Sequence, residues 1–65
     1  MREELGGRIR AVRERRGLTQ DEAAQELGIL TRSLQDYELG NAAPRLGPRR
    51  RRVLAWLTQH EEAAA

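Results

Sequence analysis

"LTQDEAAQELGILTRSLQDYELG", residues Leu18 to Gly40, decides how this chain folds. Thr19 stands three places before Glu22, the T-x-x-E spacing at which a hydroxyl and a carboxylate each cap the other's backbone N–H at a helix start. Gly28 closes the segment as a left-handed C-terminal glycine would, so a short helix is predicted over about 20–27. Ile29, Leu34 and Tyr37 carry an apolar spacing on to Gly40, a second terminating glycine, and predict another helix over about 31–39. Between the two lie a glycine and one or two residues, too few for antiparallel packing and well suited to a steep crossing.

Working outward, Leu5, Ile9 and Val12 recur at helical spacing between arginines at 8, 10, 13, 15 and 16, which reads as an amphipathic first helix ended by Gly17. Asn41 to Pro48 holds two prolines, a glycine and two alanines and reads as a surface loop, with Leu46 expected to tuck inward. Pro48 suits the first position of a last helix over about 48–61, where its missing N–H costs nothing. Val53, Leu54 and Leu57 give that helix an apolar face, and the terminal HEEAAA is expected to fray. The expected architecture is a single all-α domain over 1–65, a compact bundle of four to five helices containing a helix-turn-helix.

Sixty-five residues allow one domain with a shallow core, and the absence of cysteine leaves packing alone to hold it. Small chains without such staples often dimerise. All 12 basic residues are arginine, the side chain whose planar fork suits phosphates and guanine edges. Up to Gly40 there are 7 Arg against 8 acids and beyond it 5 Arg against 2, so net charge runs from −1 to +3 along the chain. No stretch approaches the eighteen or so apolar residues of a membrane span, and the N-terminus lacks a signal-peptide run. A cytoplasmic protein without metal, cofactor or membrane association is expected.

The twenty residues from Gln20 to Leu39 resemble the helix-turn-helix unit of the Cro/C1 (XRE) repressor family, the lambda repressor-like fold, at nearly every position that its geometry restricts. "LTQDEAAQELGI" places Gln20 first, small Ala24 where two helices nearly touch, Gly28 at the turn, and Ala23, Leu27 and Ile29 at buried places, with Leu34 and Tyr37 following. "YELG" resembles the family's aromatic, glutamate, any residue, glycine ending. The likeness covers about Leu5 to Pro44 and implies an ion pair of Arg13 with Glu38 that clamps helix one to the end of helix three.

Such a unit lays its second helix in the major groove of duplex DNA while the preceding helix spans the backbone. The resemblance then implies that Thr31, Arg32, Asp36 and Leu30 face bases, and that Gln20, Thr19, Gln35, Asn41 and Arg45 lie at phosphates. Arg32 can take guanine O6 and N7 together, a contact worth roughly 1 to 3 kcal/mol of discrimination; otherwise it grips phosphate alone or pairs with Asp36 one turn on. Asp36 either accepts from cytosine N4 or, the favoured reading, holds Arg32 in a fixed rotamer. Leu30 stands where the family usually has a capping Ser or Thr, at a cost of about 1 kcal/mol. Either Thr31 caps one residue later, or Leu30 offers a methyl contact to thymine. Leu39 likewise replaces a residue that is often polar.

"PRRRRVLAWL", Pro48 to Leu57, puts four arginines against a helix dipole that disfavours them unless an anion is near. Successive residues point about 100° apart, so at most two of the four can serve one surface. Trp56, with Leu54 and Leu57, reads as a dimer anchor or as the completion of an aromatic-poor core. A two-fold dimer on an inverted-repeat operator is the expected assembly, and a small transcriptional repressor the expected role. Catalysis is not expected: Ser33 has no base in sight, His60 lies in the tail, and Asp21 and Glu22 serve the dipole of a first helical turn. The rival reading is a protein-interaction module, such as the antitoxin of a toxin-antitoxin pair, since the fold alone does not exclude it.

Overall fold

The computed structural model describes residues 5–63 and contains, among them, four helices and no strand. They are α1 (Leu5–Arg15), α2 (Gln20–Leu27), α3 (Thr31–Leu39) and α4 (Pro48–Ala63). The boundaries of α2 and α3 coincide with those read from the capping residues. At the start of α2 the Thr19 hydroxyl accepts from the Glu22 N–H at 3.1 Å and the Glu22 carboxylate accepts from the Thr19 N–H at 2.8 Å. Gly28 ends it at φ 71°, a left-handed conformation in which another residue would be strained.

One core joins the four helices. Ile9 and Val12 of α1, Ala24 and Leu27 of α2, Leu34 and Tyr37 of α3 and Val53 and Leu57 of α4 are all buried. Ala24 is small where α2 meets α3, and its burial lets the two short helices cross closely. A second close approach was invisible in sequence. Gly6 lies against the end of α3, and a Cβ there would overlap the carbonyl oxygen of Tyr37. The glycine is what allows α1 to rest on α3 backbone to backbone.

Three expectations are corrected. Leu46 does not tuck inward: it is 90% exposed, and the buried residue of that loop is Pro44. The tail does not fray from His60, because α4 continues to Ala63; Arg8 holds Glu61 through two hydrogen bonds of 2.7 and 3.0 Å, and Arg15 donates to the His60 carbonyl at 3.1 Å. The last two residues of HEEAAA fall outside the described region. Finally, Trp56 and Leu57 do not form an outward dimer face; Trp56 is only 6% exposed, Leu57 is fully buried, and Leu54 packs half-buried against the same core. A core without Phe needs the indole, and its N–H finds the Glu26 carboxylate at 3.0 Å. No helix among the described residues is long and apolar enough to cross a membrane.

Candidate nucleic-acid interface

The outer surface of α3 is held in place from beneath by a chain of polar contacts. Arg13 of α1 grips Glu38 through two parallel hydrogen bonds, Nε to Oε2 at 2.8 Å and Nη2 to Oε1 at 3.0 Å. Glu38 is 4% exposed and Arg13 14%, so solvent screens this pair weakly. The carboxylate raises the Arg13 guanidinium above its ordinary pKa, and Arg13 also donates to the Leu18 carbonyl at 3.1 Å. From Glu38 the chain runs on. Gln20 donates its amide to Glu38 at 3.2 Å and accepts from the Gln35 amide at 3.1 Å. The two glutamines assigned to phosphates are thus fixed to each other across α2 and α3.

A separate strap ties the start of α3 to α2. The Thr31 hydroxyl donates to Asp21 at 2.6 Å, so it neither caps α3 nor stands free toward a base. Leu30 occupies the capping position with extended backbone, φ −72° and ψ 145°, and no side chain caps the helix. Leu30 itself is 72% exposed. Its neighbour Arg32 is exposed as well and has no hydrogen-bond or ion-pair partner among the described residues.

Asp36 is half-buried and joined to Arg32 by neither a hydrogen bond nor an ion pair, so the expected role of fixing the arginine rotamer is not seen. Its side chain instead lines a groove between α3 and the following loop, together with Ser33, Arg45, Leu46 and Arg49. Asn41 and Arg45 are exposed on this loop, and the Asn41 N–H donates to the Asp36 carbonyl at 2.9 Å.

Electrostatically the molecule is divided. The arginines of the α1 region have carboxylate partners: Arg8 with Glu61, Arg10 with Glu14, Arg13 with Glu38, and Arg16 with Glu26. Glu26 also accepts from Trp56, and Arg16 first, the indole second, hold its carboxyl below the ordinary range. Past the turn the situation reverses. Arg32, Arg45, Arg50 and Arg51 have no carboxylate partner among the described residues. Arg49 and Arg52, three apart on α4, turn back to the Tyr37 hydroxyl and the Gly28 carbonyl through long contacts of 3.4 and 3.5 Å. Arg50 and Arg51 were visible as part of the arginine run; their freedom from internal partners was not.

A sequence model of the family described as helix-turn-helix domain matches residues 4–60. No curated protein and no solved structure matches the chain.

Proposed function

The chain belongs to the helix-turn-helix domain family, whose folds bind DNA, and on that premise we propose that it recognises duplex DNA sequence-specifically through the outer face of α3, in the manner of Cro/C1-type repressors. The observation that carries this reading is the division of charge. Acids neutralise the arginines of the α1 region, whereas Arg32 on α3, Arg45 on the loop and Arg50 and Arg51 on α4 are left to bind something outside the chain. Phosphate and guanine are the partners that a guanidinium fork suits best.

In the proposed complex α3 enters the major groove, with Arg32 on a guanine edge. Arg45 and Asn41 approach one strand's phosphates, while the joined amides of Gln20 and Gln35 meet backbone near the positive end of α2. Gln20 and Gln35 are pre-set rather than searching, which reduces the side-chain entropy lost on binding. Asp36 faces a cytosine N4 in this arrangement. Regulation of transcription by repression, on an inverted repeat bound by two copies, completes the proposal. Two copies would meet through a surface other than Trp56 and Leu57, which lie inside each chain.

Selection of duplexes from a random library, followed by footprinting of the bound pool, tests the whole reading, because it reports sequence preference, half-site spacing and symmetry together. Steep loss of affinity between about 50 and 200 mM salt is expected for phosphate neutralisation. A chain that enriches no sequence and holds a protein partner tightly at high salt would instead be an interaction module.

A further inference from the structure

We propose that Leu30 is a specificity-determining residue that reads the 5-methyl group of a pyrimidine, thymine in ordinary DNA, beside the base taken by Arg32. The proposal rests on the duplex-binding reading above and deepens it by naming what the leading end of α3 selects.

A solitary exposed leucine is ordinary on a protein surface. This one occupies the single position of α3 where a polar side chain would stabilise the helix by accepting a backbone N–H, and no side chain does so. Nor does the core require it. Ile29 beside it packs against the buried cluster, whereas Leu30 is 72% exposed. The next residue does not take over the capping task, because the Thr31 hydroxyl is committed to Asp21 at 2.6 Å. The same bond removes the one hydroxyl at this end of α3 that could donate to a base edge. What α3 presents first is therefore the isobutyl group of Leu30 and, after it, the unpartnered guanidinium of Arg32.

Base edges in the major groove offer one apolar group, the C5-methyl of thymine; every other exposed atom there is a donor, an acceptor or a small C–H. Leucine has nothing to offer the polar edges and complements the methyl by excluding water from it. Placed ahead of Arg32, it would select a 5-methylpyrimidine near the guanine that the arginine holds.

Deoxyuridine in place of thymidine removes the methyl and nothing else, so a duplex selected from the random library is re-measured with each thymine replaced in turn. At one thymine in each bound half-site the wild-type chain is expected to lose about fourfold in affinity, the ratio for one buried methyl group. Leu30→Ser should bind the thymine and uracil duplexes alike at that position and melt at a higher temperature, since the cap is restored. The higher melting point separates lost methyl reading from damaged folding. Sequence preference without any thymine-to-uracil effect overturns the role of Leu30 and leaves duplex recognition intact. Retained discrimination in Leu30→Ser overturns it too, by assigning the methyl to another residue. Absence of any selected duplex removes both the inference and the reading beneath it.

Discussion

Gly6 and Arg13 hold α3 from two sides by different physics. At Gly6 the constraint is steric, because an added Cβ would run into the Tyr37 carbonyl and lie 3.3 Å from the Glu38 Cα, both backbone atoms with little room to yield. Gly6→Ala is expected to lose about 3 kcal/mol, as over-packing of a tight contact does, even though alanine is the better helix former. Urea denaturation measures it, and a stability equal to or above wild type would contradict the close approach. At Arg13 the constraint is ionic. Arg13→Ala leaves Glu38 almost fully buried with only the Gln20 amide, and should cost about 3 kcal/mol. Arg10→Ala is the control: its pair with Glu14 is more than half exposed on both sides and should be worth only about 0.3 kcal/mol.

The attachment of α4 is what the pattern of its own residues described least well. His60, Glu61 and the alanines after them resemble a fraying end, yet the helix persists because other elements hold it. Arg8 and Arg15 reach it from α1, and the His60 ring meets the Trp56 ring edge-on at 5.2 Å between centroids. Glu26 of α2 collects Arg16 and Trp56 on one carboxylate. Arg16 and the indole lower the Glu26 pKa, and Arg8 lowers that of Glu61. A carboxyl whose folded pKa is depressed stabilises the fold above its unfolded value and loses that contribution as pH falls through the folded one. Stability should accordingly decline as the pH drops below about 4, by less than about 1 kcal/mol for each of these solvent-screened pairs. Urea titrations across that range check it, and Glu26→Gln should flatten its share of the decline; a profile that rises with acidity would oppose the assignment.

For the molecule in its entirety, the consequence of the charge division is a difference between two kinds of DNA-binding defect. Arg32→Ala should abolish preference among duplexes while changing affinity for random DNA modestly, whereas Gln20→Ala should weaken all duplexes alike. Equal losses on selected and random DNA for Arg32→Ala would count against base reading. Arg51→Ala alters a guanidinium with no internal carboxylate partner, so it should leave melting within about 0.5 kcal/mol of wild type. If Arg51 lies on a phosphate, the slope of log affinity against log salt should fall by about 0.9. An unchanged slope would place Arg51 away from the backbone.

Local chemistry made much of this protein legible. A capping box at Thr19 and terminating glycines at 17, 28 and 40 act on their immediate neighbours, so the limits of α2 and α3 followed from adjacent residues. Resemblance pointed to Arg13 with Glu38, and the four helices place those groups within hydrogen-bonding distance. Other partnerships depend on distances through space that no spacing encodes. Thr31 meets Asp21 rather than capping its own helix, Trp56 completes the core rather than offering a face, Leu46 stays in solvent while Pro44 is buried, and Gly6 admits a backbone. Neighbours along the chain fix where helices begin and end, because capping and backbone conformation are short-range. Which side chains are used up inside, and which remain for a partner, is settled only when the helix faces meet.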